Sequence, residues 1–289
     1  MTGLALPDVL SLVARAVSFV LLLQSAGLAL FLALFGRLMP GSADAVRRTG
    51  FASSTLGLGA ALALFALEAP RMAGTLAGLW DLSLQKLALY SRLGEALGLK
   101  VAGLTLLAGA FRARGELASI ASVIGVSLAV GAFLVTGHTV DHPDRALLGP
   151  VLAVHLLIVA FWFGALPALY LATRRDSPAA AAQLIARFSA RAVWLVPLIF
   201  LAGVAMVVML VPGWTVFEQP YGELLLVKIG GFALLMGLAV VNRWRLGPAV
   251  ASGELNALRA LRASVASEYI LIVGVLATTA VMTTLFSPQ

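Results

Sequence analysis

The chain has few charged residues and no cysteine. Only 11% of its 289 residues are Asp, Glu, Lys or Arg, whereas 61% are apolar. A typical soluble domain carries roughly 25% charged residues, so this chain could not cover a water-facing surface of its size. The absence of cysteine excludes disulfides and thiolate metal sites. A soft metal ion would therefore have to be held by histidine and methionine.

The sequence also lacks the short motifs of several enzyme classes. It contains no P-loop, no HExxH zinc motif and no GxSxG nucleophile elbow. It shows no energy-coupling device either. Whether the chain is an enzyme stays open at this point, and a transporter-like role without catalysis is favoured.

Long apolar runs predict a membrane protein. The bilayer core takes about 20 apolar residues as a helix. Runs of this kind lie near 12–36, 50–67, 97–113, 117–137, 148–172, 188–211, 222–242 and 265–286. We therefore predict an all-α, polytopic helix bundle with about eight transmembrane helices, forming one transmembrane domain over residues 1–289. No basic stretch precedes the first run, so we expect it to act as its own insertion signal.

Residues 68–96 are too polar to span the bilayer. Their leucines recur at helical spacing, which favours an interfacial or re-entrant helix.

The basic residues predict the orientation. Cytoplasmic loops of membrane proteins carry an excess of Lys and Arg. The loops after predicted spans one, three, five and seven carry thirteen of them, whereas those after spans two, four and six carry five. We therefore predict that both termini lie on the periplasmic side of a bacterial inner membrane.

The three histidines are the most informative polar residues, and all map to the outward side. His138 and His142 lie in the loop sequence GHTVDHPD, with Asp141 between them, and His155 lies about 10 Å inside the fifth span by helical rise. Imidazole binds Cu, Zn, Fe and haem iron. The alternative is that the loop histidines are solvated and that His155 bonds a neighbouring helix, although ionisable groups within spans tend to be functional.

Two methionines and one lysine add to this pattern. Met206 and Met209 are three residues apart, hence on one face of the sixth span. Thioether sulfur prefers Cu(I), although methionine is also an ordinary packing residue. Lys228 lies at about the depth of His155, where its side chain would reach outward to water, face an anionic group or bind a metal as a neutral amine.

Two further residue pairs carry structural expectations. An Arg243–Glu268 ion pair would lock the seventh and eighth spans together. Trp162 follows His155 by seven residues, hence on the same helix face, where it would wall off a ligand cavity or simply pack.

The second half of the chain resembles the copper resistance protein D (CopD) family. The resemblance covers about 148–286, which we treat as a four-helix portion, and extends more loosely to 77–100 and 136–138. It rests on the following residues: His155, Phe161 to Leu169, Arg187 to Ser189, Pro220 to Gly222, Lys228, Asn242 to Arg245, Pro248, Arg262 and Glu268.

This resemblance implies an inner-membrane protein that moves copper from periplasm to cytoplasm, often with a periplasmic copper-binding partner of the CopC type. The resemblance does not fix the ligands, but the residues themselves predict that His138, His142 and Asp141 capture the ion at the outer mouth. His155, Met206 and Met209 would pass it inward. No nucleic-acid partner is expected, because basic residues in membrane proteins mark cytoplasmic loops.

A fainter similarity indicates a different function. A histidine within a span and a lysine in a neighbouring helix also resemble the membrane protoporphyrinogen oxidase family. That resemblance implies haem b with His155 and Lys228 as axial ligands. The alternative hypothesis is therefore a haem-binding redox protein, and a third is a structural or partner-binding subunit without any ligand.

Overall fold

A computed structural model of the chain describes residues 4–137, 140, 142–211, 213–254 and 256–286, which are helical with short connections and contain no strand. The α-helices in this part are α1 (Leu6–Phe35), α2 (Ala43–Ala66), α3 (Glu68–Ala73), α4 (Leu82–Leu89), α5 (Arg92–Arg112), α6 (Glu116–Leu134), α7 (Arg145–Arg175), α8 (Pro178–Leu210), α9 (Pro220–Val241), α10 (Gly247–Ala251) and α11 (Ala257–Leu285). Short 3₁₀ turns cover Gly36–Leu38, Leu76–Trp80 and Trp214–Glu218.

Eight helical stretches among the described residues are long and apolar enough to cross a membrane. They confirm the eight predicted spans. The third and fourth spans are separate helices, α5 and α6, joined at Gly115, whose φ of 78° suits glycine. Residues 68–96 form the short helices α3 and α4, and their placement at the bilayer interface stays a prediction.

The helix directions place the start of α1 and the end of α11 on one side of the bundle. α1 and α7 run parallel, because Gly27 lies against Ala160 and Gly41 donates a 2.6 Å hydrogen bond to Asp176, just after α7. α11 runs antiparallel to α7, as shown by its contacts with that helix at Trp162 and Thr173. α1 therefore begins, and α11 ends, at the same end of the bundle. We call this end the termini face.

The backbones of α1 and α7 touch where they cross. A Cβ atom at Gly27 would lie 1.7 Å from the carbonyl oxygen of Ala160, and one at Gly164 would lie 2.1 Å from the carbonyl carbon of Gly27. Only glycine permits this approach, as in other helix pairs of membrane proteins. The crossing makes α1 the central helix, and the hydrophobic core continues from α1 into both halves of the chain.

Side-chain hydrogen bonds tie α1 to its neighbours within this core. Gln24 donates to Ser53 at 2.7 Å, and the hydroxyls of Ser25 and Ser54 lie 2.6 Å apart. Tyr269 of α11 donates to the Gln24 carbonyl oxygen. Lipid offers no hydrogen-bond partners, so polar side chains in a span bond one another.

α8 and α9 are the peripheral helices. α8 packs mainly on α7, and α9 mainly on α11. Both expose apolar side chains, including Leu201, Val208 and Leu234, as expected of surfaces that face lipid. α9 continues into a π-helical turn, Asn242–Leu246, in which the Gly247 N–H bonds to the Asn242 carbonyl.

We predict that Gly164→Val destabilises the protein. The new side chain would collide with the backbone of α1, and overpacking of a tight core costs about 1–3 kcal/mol or more. Gly131→Val is the matched control, since a Cβ there meets nothing within 4 Å. Thermal unfolding in detergent should show a lower melting temperature for Gly164→Val only. Equal melting temperatures for both variants would contradict the close crossing.

Candidate functional site

His155 lies on the side of α7 that faces α8. A Cβ atom at Gly203 of α8 would be 4.0 Å from the His155 Cε1 atom, and the imidazole also interacts with the backbone carbonyl of Ile199. Its Nδ1 atom is buried and has no hydrogen-bond partner. Buried polar nitrogen without a partner is rare, because leaving it unpaired costs about 1–3 kcal/mol. The sequence alternative, a histidine satisfied by a neighbouring helix, therefore accounts for only part of this ring.

Lys228 of α9 lies near this imidazole. The two side chains are close enough to interact electrostatically, which agrees with the similar depths inferred from the sequence. His155 of α7 therefore lies close to Gly203 of α8, and Lys228 of α9 lies within electrostatic range of the imidazole.

Met206 belongs to the same side of α8. Ile199, Gly203 and Met206 follow one another at spacings of four and three residues, so they share a helix face. Since the first two face His155, Met206 lies on that side about 4.5 Å nearer the termini face, by helical rise. Met209 is one turn farther along. Both methionines are half-buried.

His142 lies apart from His155. Its Nδ1 accepts a 3.1 Å hydrogen bond from the Asp144 backbone N–H, which leaves Nε2 for another partner. Arg145, where α7 begins, is ten residues and about 15 Å from His155 by helical rise. We therefore expect any use of both rings to involve two successive sites. His138 and Asp141 lie outside the described residues, so their relation to His142 stays a prediction.

Within the described residues, no three His, Asp or Glu side chains come together as a metal cluster. Two further methionines, Met282 and Met72, lie in different surroundings from each other. Met282 is buried against Val216 and Tyr221, whereas Met72 is 47% exposed on the segment between the second and third spans.

Glu268 forms a second polar centre, farther from the termini face than His155. It is 3% exposed and accepts hydrogen bonds from Trp162 Nε1, at 3.2 Å, and from the Asn242 side-chain amide. The expected Arg243–Glu268 pair is wrong, because Arg243 donates instead to the Ser189 carbonyl at 2.9 Å. The rotation of the helix at the π turn decides whether Asn242 or Arg243 faces Glu268. Sequence spacing alone does not reveal this rotation. Trp162 therefore holds α7 to α11.

A group of charges that is not predicted from the sequence lies at the termini face. Arg15 of α1, Glu68 and Arg71 of α3 and Lys100 of α5 interact there. The signals in the sequence were Arg15 and Lys100 inside predicted apolar runs, which indicate partners but do not identify them.

Comparison with known proteins finds matches to part of the chain. The family model of copper resistance protein D matches residues 182–282, which extend from α8 to α11. A curated relative, copper resistance protein D of Pseudomonas syringae pv. tomato, is 34% identical over 189 residues, covering 58% of this chain and 60% of the relative. The chain thus spans about three fifths of that relative's length. No solved structure matches this chain. The resemblance to the copper resistance protein D family is confirmed.

We predict that Glu268→Leu destabilises the protein more than Glu268→Gln. Leucine removes both acceptors and leaves two buried donors unpaired, at about 1–3 kcal/mol each, whereas glutamine keeps one carbonyl acceptor. Thermal unfolding in detergent measures the difference. A leucine variant as stable as the glutamine variant would mean that these hydrogen bonds do not hold α7, α9 and α11 together.

Proposed function

We propose that this chain is a copper-handling inner-membrane protein that moves copper from periplasm to cytoplasm. The resemblance to copper resistance protein D supports the metal, and eight apolar helices support the membrane. The observation that carries the proposal is the buried, unpartnered Nδ1 of His155 between α7 and α8. A neutral imidazole nitrogen that carries no hydrogen has a lone pair that can bind a metal ion.

His155 would bind copper together with methionine. Met206 shares the α8 face that contacts His155, and Met209 follows one turn nearer the termini face. Imidazole with thioether sulfur suits Cu(I), whereas the His138, His142 and Asp141 set suits Cu(II). In this proposal the latter set captures the ion at the mouth, and the His155 site receives it about 15 Å farther along α7.

The charge of Lys228 affects how a metal ion could bind at this site. An ammonium group next to His155 repels an arriving metal cation. Copper binding would therefore release a proton from the amine, which then serves as a ligand, or move the side chain away. The ion would next meet the carboxylate of Glu268, because Trp162, its hydrogen-bond donor, lies two turns beyond His155 on α7.

In this proposal residues 1–289 act as one membrane domain whose termini face is periplasmic. A periplasmic copper-binding protein of the CopC type would deliver the ion there. The excess of Lys and Arg in the loops at the opposite face supports that orientation.

Reporter fusions test the orientation. We expect alkaline phosphatase to be inactive when fused after Gly253, between α10 and α11, and active when fused after Phe286, since this enzyme folds only in the periplasm. A green fluorescent protein series at the same positions should give the reverse pattern. The opposite result in both series would invert the orientation and with it the direction of transport.

Copper binding by variants tests the site. We expect purified His155→Ala to lose one copper equivalent that His142→Ala retains, because the two rings belong to different sites. Metal analysis and competition with a Cu(I) chelator give the stoichiometry and affinity. Met206→Leu should lower the affinity for Cu(I) more than that for Cu(II). Unchanged stoichiometry in His155→Ala would refute the assignment.

The same sample distinguishes the haem alternative. The electrostatic interaction between His155 and Lys228 is the one observation that favours a haem between α7 and α9. A Soret band in the visible spectrum that disappears in both His155→Ala and Lys228→Ala would favour haem over copper.

A further inference from the structure

An apolar groove lies between α1 and α8, with α7 as its floor. Both helices pack on α7, and the groove between them encloses about 370 Å³. Ile158 and Phe161 in the floor are buried, whereas Leu34 and Trp194 at the rims are 52% and 76% exposed. The other lining residues are Leu30, Leu157, Leu195 and Arg191. The groove is therefore open to the lipid that surrounds the bundle.

Arg191 lies at one end of this groove. It is the last charged residue of α8, since residues 192–210 carry no charge. Its guanidinium lies over the ring of Phe35, where α1 ends, at 4.7 Å from the ring centre. This places the guanidinium near the membrane boundary opposite the termini face. Trp194 follows about 4.5 Å farther into the membrane by helical rise, and the rest of the groove continues in that direction.

The charge at this end of the groove is positive and has no acidic partner. Arg187 lies one turn before Arg191 on the same face of α8, and both side chains are exposed. Within the part of the chain that the structure describes, neither arginine forms an ion pair with a carboxylate. A guanidinium group presents a planar fork of N–H donors that suits phosphate. The free partner of this end is therefore expected to be an anion.

We propose that the groove binds an anionic phospholipid, with its phosphate at Arg191 and one acyl chain along the apolar lining. The chemistry along the groove follows that of such a lipid, because a cation at the membrane boundary is succeeded by an interfacial tryptophan and then by aliphatic side chains. A second apolar helix would fit less well, since it would remove the guanidinium from water without supplying a counter-charge. This proposal depends neither on copper handling nor on which face of the membrane is periplasmic.

Native mass spectrometry of the delipidated chain in detergent tests the proposal. Titrations use phosphatidylglycerol and phosphatidylcholine with the same acyl chains, and we expect the first equivalent of phosphatidylglycerol to bind more tightly. Arg191→Gln should weaken this binding about fivefold, the contribution expected of one basic residue beside an anionic lipid. Arg245→Gln is the matched control and should keep the wild-type affinity. Arg245 is also exposed at this face of the bundle, next to the exposed Trp244, but it does not line the groove.

Filling the groove provides a second measurement. Leu34→Trp would place an indole in the groove from a half-exposed rim position, so we expect the fold to tolerate it. It should abolish the tight binding of phosphatidylglycerol, whereas Leu117→Trp, at an exposed position of α6 outside the groove, should retain it.

Four outcomes would overturn the proposal. The first is equal affinity of the wild type for the two lipids. The second is unchanged phosphatidylglycerol binding in Arg191→Gln or Leu34→Trp, and the third is an equal loss of binding in Arg245→Gln and Arg191→Gln. The fourth is a wild-type dimer in lipid-free detergent that Leu34→Trp dissociates, because the groove would then hold a second copy of the chain.

Discussion

The arrangement of the bundle depends on the direct backbone contact between α1 and α7. Gly27 and Gly164 let the two helices approach until main-chain atoms touch, so the position of α7 relative to α1 is fixed without a side chain between them. His155 lies nine residues before Gly164, and Trp162 lies two residues before it. The crossing therefore also sets the level at which the imidazole meets α8 and the indole meets Glu268.

Buried polar groups in the membrane-spanning part serve two different purposes. Gln24 and Glu268 have several partners, and their hydrogen bonds join three helices each. Such groups stabilise the fold, because lipid cannot replace a lost partner. His155 Nδ1 is buried without a partner. Such a group is retained at a cost in stability, which is why it carries the proposed copper site.

Hydropathy and helical rise predicted much of this from the sequence. The eight spans were predicted because the length of an apolar run is a local property, and the similar depth of His155 and Lys228 followed from counting residues. Pairings that depend on helix rotation were not accessible in this way. The Arg243–Glu268 prediction failed for this reason, and the partners of Arg15 come from segments more than fifty residues away. The capture set of His138, His142 and Asp141 stays a prediction.

The π turn at Asn242–Leu246 affects how the C-terminal helices could change in evolution. A π turn contains one residue more than an α turn, and such bulges occur frequently at functional sites. Removing one residue there would restore a regular helix but would turn the part of α9 before it by about 100° relative to α10. The position of Lys228 relative to His155 would then change. A homologue with a deletion at this position would be expected to have a different charge environment around His155 while keeping its overall shape.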